Sequence, residues 1–197
     1  MGQNSSSSFV SVPDTEYTPC AVLLKKLGYR LVIFGFENVM IPERKEINNH
    51  TVVRYTESAC MEKVHIIRNH IPDHVSGLVV SLLSQGVTVS IITEHTSDKN
   101  GEVIVTPDQT SACYAYQGIP LITKIIEAQF GEEVAQFIHV SEGKKLENTI
   151  RGLLKTYHLP AQEVLLIHAT PSLIRYAKQH HMGTILVEDH TFGLTLS

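Results

Sequence analysis

The sequence lacks the features that mark membrane-spanning and nucleic-acid-binding proteins. No run approaches the 18 apolar residues that a membrane-spanning helix requires, and no apolar signal-peptide region follows the first residues. Lysine and arginine form no cluster, and the net charge is −4, which argues against a groove for nucleic acid. We therefore expect no nucleic acid among the partners of this protein.

Cysteine is also scarce, and its spacing fits no metal site. The three cysteines, Cys20, Cys60 and Cys113, have no metal-ligand spacing and cannot all pair, so a reducing compartment is the default. A Gly-x-Gly-x-x-Gly pattern is absent after the first strand, which removes support for a Rossmann-like nucleotide binder. We therefore expect no cofactor.

Histidine is abundant, with eleven residues, but it is scattered along the chain. His65, His70 and His74 come closest to helical spacing, and Pro72 interrupts them. We expect ordinary surface or buried roles for these side chains and no bound metal.

The stretch that organises the chain is Leu31 to Ile41. Four apolar residues that favour β structure run into Gly35, which is typical of a strand that is buried on both faces of a parallel sheet. In an open α/β sheet, ligands bind outside the carboxyl ends of the strands. The residues just after this strand should therefore decide the function.

Strand and helix patterns alternate along the rest of the chain. They predict a doubly wound parallel sheet in three layers, with right-handed crossovers and no large cap domain. We expect one folded domain over 19–197, preceded by a flexible tail over 1–18. Further strands are predicted at Val87–Thr93, Gln136–Val140, Val164–Ile167 and Thr184–Val187, with short ones at Thr51–Tyr55 and Glu102–Val105; helices are predicted at Cys20–Leu27, Asp73–Gln85, Ile119–Phe130, Lys144–His158 and Leu173–His180.

The first residues match the acceptor pattern for N-myristoylation. Met1 is removed in this modification, Gly2 is acylated, and a hydroxyl residue, here Ser6, stands at position six. The alternative is a serine-rich tail with a chance glycine. One myristoyl chain binds membranes only marginally, with an association constant of about 10⁴ M⁻¹, so stable anchoring needs a second signal. A palmitoylated Cys20 or a membrane-bound partner would supply it, whereas a plain core cysteine at a helix start would not.

The order of the landmarks resembles the haloacid dehalogenase (HAD) superfamily over about residues 29 to 196. The four motifs of that superfamily are similar to Gly35-Phe-Glu-Asn-Val after the first strand, Thr93 at the end of a strand, Lys145 at the start of a helix, and His168-Ala169-Thr170 after a later strand. The spacing is most similar to that of the small, capless, magnesium-dependent phosphatases. The resemblance implies a phosphatase-like fold.

The departures from this family concern its catalytic carboxylates. The family pattern implies a nucleophilic aspartate at Gly35, an acid/base aspartate at Glu37, and magnesium-binding aspartates at His168 and Ala169. Glycine cannot form an acyl phosphate. Magnesium prefers oxygen ligands, which imidazole and methyl groups do not provide. We therefore predict no catalytic residue and no metal at these four degenerate positions.

Two matching positions keep the residue type of the family. The resemblance implies that the Thr93 hydroxyl and the Lys145 ammonium bind a phosphate oxygen. The alternative reading is a threonine at a strand end and a solvated lysine at a helix start, and the neighbouring Lys144 competes for the lysine assignment. Anion binding without a nucleophile and a metal leaves most of the electrostatic stabilisation of phosphoryl transfer missing.

These patterns together predict a catalytically inactive pseudophosphatase of HAD type. It would act as a scaffold or regulatory module through an unidentified protein partner, in the cytoplasm and peripheral on a membrane through acylated Gly2. One alternative is a phosphatase or phosphotransferase with a rewired site, in which His168 is the nucleophile and Glu37 orients it. Another alternative is a protein that binds a phosphorylated ligand.

Overall fold

The computed structural model describes residues 16–42, 57–95, 118–190 and 193–195. Five strands and seven α-helices alternate through these ranges. In chain order they are α1 (Thr18–Lys26), β1 (Leu31–Gly35), α2 (Glu57–Arg68), α3 (Asp73–Ser84), β2 (Thr88–Thr93), α4 (Gly118–Phe130), α5 (Glu132–Ala135), β3 (Ile138–Glu142), α6 (Leu146–Tyr157), β4 (Val164–His168), α7 (Pro171–Gln179) and β5 (Gly183–Leu186).

The strands form one parallel sheet in the order β3-β2-β1-β4-β5. β1 lies in the centre, where Leu31 is in register with Thr88 of β2 and with Val164 of β4. The chain adds β2 and β3 on one side of β1 and then returns to add β4 and β5 on the other. The parallel, doubly wound architecture expected from the sequence is confirmed.

The two faces of the sheet bury two separate hydrophobic clusters. Val32 and Phe34 of β1 point to the face that α1, α2, α3 and α4 cover, whereas Leu31 and Ile33 point to the face that α6 and α7 cover. This alternation follows from the two-residue period of a strand. All five β1 residues are buried, which is why the sequence of β1 is apolar without interruption.

The predicted elements within the described ranges agree with the structure to within about two residues, a usual uncertainty for element ends. Helix α2 was not predicted, because its alternation of charged and apolar residues gives a weak apolar stripe, although Val64 and Ile67 are buried. The strands predicted at Thr51–Tyr55 and Glu102–Val105 lie outside the described residues. Within the described ranges no cap domain stands beside the sheet, and no helix has the length and apolar character needed to cross a bilayer.

Candidate functional site

Glu37 lies in a tight turn that follows β1. The Phe36 N–H donates a hydrogen bond to the Ile92 carbonyl of β2 (3.0 Å), and the Phe36 carbonyl accepts from the N–H groups of Met40 and Ile41 (3.1 and 3.2 Å). Asn38 adopts a left-handed conformation (φ 61°), which asparagine tolerates better than most residues. The backbone around Glu37 is therefore fixed by hydrogen bonds on both sides.

The Glu37 side chain is directed toward β2. The Thr93 hydroxyl, at the end of β2, donates a hydrogen bond to Glu37 Oε1 at 2.5 Å. Thr93 Oγ1 in turn accepts a hydrogen bond from the His95 N–H (3.1 Å), and the Thr93 residue is fully buried. A hydroxyl has one proton to donate. The family resemblance implies that the Thr93 hydroxyl donates to a phosphate oxygen. In this structure the hydroxyl already donates to the Glu37 carboxylate.

Partial burial changes the acidity of Glu37. Loss of hydration raises the pKa of the Glu37 carboxyl above its ordinary value. The hydrogen bond from Thr93 and the charge of His95 lower the pKa again in part, and the charge of Glu94 raises it. Desolvation is the largest of these effects.

Gly35 and His168 meet across β1 and β4. A Cβ atom placed on Gly35 would lie 2.6 Å from Cδ2 and 3.0 Å from Nε2 of the His168 ring. Such distances are well inside van der Waals contact, so the imidazole fills the space that a side chain at position 35 would need. His168 is 7% exposed, so its ring is largely enclosed by the protein.

The hydrogen bonding of His168 fixes its proton. The Thr170 N–H donates to His168 Nδ1 at 3.0 Å, so Nδ1 carries a lone pair and the ring proton is assigned to Nε2. Burial lowers the pKa of His168 to about 4, which keeps the ring neutral at physiological pH. A protonated Nε2 has no lone pair for attack on phosphorus.

His168 and Glu37 are not hydrogen-bonded to each other in the described part of the chain. β4 and β2 flank β1 on opposite sides, and Glu37 bonds to Thr93 on the β2 side while His168 covers Gly35 on the β4 side. In the rewired-enzyme hypothesis Glu37 orients His168. Glu37 instead accepts a hydrogen bond from Thr93.

The gap between β1 and β4 is the topological switch point of this sheet. The chain leaves β1 toward β2 and later enters β4 on the other side, and an open α/β sheet binds its ligands in the crevice at such a point. In this protein the His168 ring stands in that crevice above Gly35. Ala169, which follows it, is 7% exposed and belongs to the hydrophobic core.

Lys145 is the N-cap of α6, as predicted, and it is exposed. Its carbonyl accepts hydrogen bonds from the N–H groups of Asn148 and Thr149 in the first turn. The Gly143 N–H donates to the Thr93 carbonyl (3.1 Å), which attaches the loop before Lys145 to the end of β2. Lys145 therefore belongs to the carboxyl edge of the sheet, as does the competing Lys144.

The side chains present do not fit the magnesium ion that the family resemblance implies. Gly35 and Ala169 have no ligand atom, His168 Nδ1 accepts from a backbone N–H, and Glu37 accepts from Thr93. Magnesium requires several oxygen ligands in near-octahedral array. Nowhere in residues 16–42, 57–95, 118–190 and 193–195 do three histidine, cysteine or acidic side chains gather in a way that could hold a metal ion.

Of the two predicted lipidation positions, only Cys20 falls within the described residues; Gly2 lies outside them. Cys20 is half-buried on α1, packs against the hydrophobic core, and has a pKa that burial raises. A high pKa lowers the fraction of reactive thiolate. This environment favours the plain core cysteine over a palmitoylated one.

Sequence reasoning did not find the role of the last described segment. The Leu194 N–H donates to the Val39 carbonyl (3.0 Å), and His74 Nε2 forms a hydrogen bond with the Leu194 carbonyl. Gly193 has φ 67°, and a Cβ there would lie 2.9 Å from the Val39 oxygen. The only local signal is this glycine, so residues 193–195 hold the Glu37 turn through contacts that a sequence pattern does not show.

A further cavity has a volume of about 450 Å³. It is formed beside β3 by residues of α4, α5 and the strand itself, including Ile126, Glu127, Gln136 and His139. None of the predicted site residues lines it.

No protein-family model matches the sequence, and no curated protein matches it. Among solved structures, the chain is similar to a protein described as a predicted HAD-like family hydrolase from Porphyromonas gingivalis (10% identity, TM-score 0.41, 82% of this chain and 92% of that one). It is also similar to the Unknown transcript 4 protein of Saccharomyces cerevisiae (11% identity, TM-score 0.37, 80% of this chain and 89% of that one). A third similar structure is that of a HAD family enzyme from Bacteroides thetaiotaomicron, a mutant solved with magnesium and inorganic phosphate (9% identity, TM-score 0.37, 80% of this chain and 93% of that one). Similarity at this level is a likeness of fold alone and assigns no activity to this chain.

Proposed function

We propose that this protein is a catalytically inactive, HAD-like pseudophosphatase that works by binding another protein, held at the cytoplasmic face of a membrane by acylated Gly2. The observation that carries the first part is the contact between Gly35 and His168. Where the resemblance implies a nucleophilic carboxylate, the protein has a glycine, and a neutral imidazole takes up the remaining space.

The chemistry of the site supports this proposal in three ways. Gly35 cannot form a phosphoenzyme, and Nε2 of His168 carries its proton, so neither is a nucleophile. Within the described residues no set of oxygen ligands is available for magnesium, which would otherwise neutralise charge in phosphoryl transfer. The Thr93 hydroxyl, which could position a phosphate, donates to Glu37 instead.

The test of inactivity is turnover of p-nitrophenyl phosphate with and without magnesium. We expect the wild-type protein, Glu37→Gln and His168→Asn to release nitrophenol at the same rate as buffer. Metal-dependent release by the wild type that Glu37→Gln abolishes would establish the rewired enzyme and overturn the proposal. A folded state must be confirmed for each variant by circular dichroism.

The membrane part of the proposal is supported by the acceptor pattern at Gly2 and Ser6. Acylation predicts an N-terminal peptide from native cells that lacks Met1 and is about 210 Da heavier than the unmodified form. An unmodified or acetylated Gly2 would contradict it. A pull-down from those cells that compares the wild type with Gly2→Ala then shows whether partner capture depends on the lipid.

A further inference from the structure

Helix α1 is apolar on two sides. On one side Ala21 is fully buried and Leu24 packs against the core, and the half-buried Cys20, three residues before Leu23, borders both sides. On the other side Leu23 is 55% exposed and Leu27 is 62% exposed, the highest values among the large hydrophobic residues that the structure describes as exposed. Residues four apart on a helix are neighbours, so these two leucines form one exposed apolar surface.

Two lysines accompany the exposed leucines. Lys26 lies three residues after Leu23, on the same side of the helix, whereas Lys25, two residues after Leu23, projects from another side; both are exposed at the end of α1. Neither forms an ion pair within the described ranges, whereas Arg30, further on, is paired with Glu163. The acidic residue nearest in sequence, Glu16, lies at the opposite end of the helix.

α1 is also the first described element after the candidate lipid. The residues between Gly2 and the start of α1 at Thr18 span at most about 55 Å when fully extended, at roughly 3.5 Å per residue. An acyl chain in a bilayer therefore confines α1 to the vicinity of the membrane surface. Cys20 is half-buried against the core, which disfavours it as the second signal that stable anchoring needs.

We propose that the surface formed by Leu23, Lys26 and Leu27, with Lys25 close by at the end of the same helix, is a second membrane contact that lies on an anionic bilayer. This inference depends on the proposed acylation of Gly2. Leucine side chains enter the boundary between headgroups and acyl chains, and lysine ammonium groups are attracted to the negative lipid surface. The charge of the lysines and the short connection to Gly2 favour a bilayer over a second copy of the chain.

The experiment uses full-length protein that has been enzymatically myristoylated, sedimented with phosphatidylcholine vesicles or with vesicles that also contain phosphatidylserine. Each lysine near an anionic surface contributes roughly fivefold in affinity. We therefore expect Lys25→Glu/Lys26→Glu to bind the anionic vesicles at least about 20-fold more weakly than the wild type. Leu23→Ser/Leu27→Ser should weaken binding to both kinds of vesicle.

The matched control is Lys155→Glu/Lys178→Glu, which changes the net charge by the same amount. These two exposed lysines lie on α6 and α7, the helices on the other face of the sheet, and we expect wild-type binding. Anionic-vesicle binding that both α1 variants leave unchanged would overturn the inference while the proposed acylation stands. Acylation itself is judged separately, by the mass of the native peptide.

A second outcome would also overturn the inference. Sedimentation velocity shows whether the wild type is a dimer that Leu23→Ser/Leu27→Ser converts to a monomer in the absence of lipid. That result would assign the exposed leucines to a contact between two copies of the chain.

Discussion

At the scale of single residues, Gly35 and His168 act as one unit. The glycine leaves a space at the end of β1, and the imidazole fills it and is held there by the Thr170 N–H. Interiors are close-packed, so the two identities depend on each other. A carboxylate at position 35 and the present orientation of His168 exclude each other.

This dependence predicts energetic coupling between the two positions. Gly35→Ala should lower the free energy of unfolding by about 1–3 kcal/mol, because the new methyl group collides with the His168 ring. Gly35→Ala/His168→Ala should be more stable than the sum of the two single changes by about 0.5–3 kcal/mol. Urea unfolding of the wild type, Gly35→Ala, His168→Ala and the double variant measures this coupling energy.

Gly152→Ala on α6 is the matched control for Gly35→Ala. A Cβ atom there meets nothing within 4 Å, so alanine should stabilise the helix by roughly 0.5–1 kcal/mol. If alanine changed the free energy of unfolding equally at positions 35 and 152, this would contradict the expected collision with His168.

Burial of His168 predicts a dependence of stability on pH. The pKa of His168 is near 6.5 in the unfolded chain and about 4 in the folded protein. Between these values the unfolded state binds more protons, so the free energy of unfolding falls as the pH falls from about 6.5 to about 4. The loss is at most on the order of 3 kcal/mol.

The comparison for the pH effect is His168→Asn, whose amide oxygen can accept the Thr170 N–H but does not titrate. Urea unfolding between about pH 7.5 and about pH 3.5 should show the loss in the wild type relative to this variant. The raised pKa of Glu37 acts in the opposite direction, since its contribution is lost as the pH rises through its folded pKa. The wild type and His168→Asn both keep Glu37, so the effect of Glu37 cancels when their stabilities are compared. If the free energy of unfolding changed with pH in the same way in both proteins, this would be evidence against a buried neutral His168.

We expect Glu37 to control whether an anion binds at Thr93 and Lys145. An ionised Glu37 repels a phosphate, whereas the amide of glutamine is neutral, although its oxygen still accepts the Thr93 hydroxyl. Glu37→Gln should therefore bind inorganic phosphate at least about tenfold more tightly than the wild type at neutral pH, by calorimetry. Adding Lys145→Ala to this variant should remove the gain. Phosphate binding that is equally strong in the wild type would instead support the phosphorylated-ligand alternative.

At the scale of elements, the ends of β1 and β4 set what the carboxyl edge can hold. The two strands are paired in register from Leu31 with Val164 to Phe34 with Ile167, so Gly35 and His168 are adjacent by construction. The same pairing would place carboxylates at these positions close together.

Restoring the missing carboxylates tests this arrangement. Gly35→Asp/His168→Asp/Ala169→Asp should bind magnesium in calorimetry, because the imidazole is gone and three carboxylates meet at one edge. Carboxylates without a cation repel each other, so this variant should be less stable in chelator than in magnesium. Gly35→Asp alone should fail to bind, since His168 remains. Absence of binding in the triple variant would show that the loops do not form the geometry of the family.

At the scale of the whole molecule, the far end of the chain secures the turn that carries Glu37. Leu194 is 5% exposed and joins Val39 and His74 through its backbone. The turn after the first strand thus depends on residues from the middle and the end of the sequence.

Removing the Leu194 side chain should have the effect of a core truncation. Leu194→Ala is expected to lower the free energy of unfolding by about 2–5 kcal/mol. The same change at the exposed Leu23 should stay within roughly 0.5 kcal/mol. Urea unfolding measures both, and similar values for the two variants would argue against a buried Leu194.

The sequence by itself determined the five strands, most of the helices and the positions of the motif residues. Strand and helix periods are local, and a strand buried on both faces, such as Leu31–Gly35, has to be apolar throughout. Gly35, Glu37, His168 and Ala169 stand at strand ends or just beyond, so their placement at the carboxyl edge could be predicted from parallel topology alone.

Only the tertiary structure decided what those residues contact. The direction of Glu37 toward Thr93, the His168 ring above Gly35 and the Leu194 bond to the first turn all join residues that are far apart in the sequence. The exposure of Leu23 and Leu27 likewise depended on which side of α1 met the core. Such contacts arise from packing and hydrogen bonding between distant segments, which no local pattern contains.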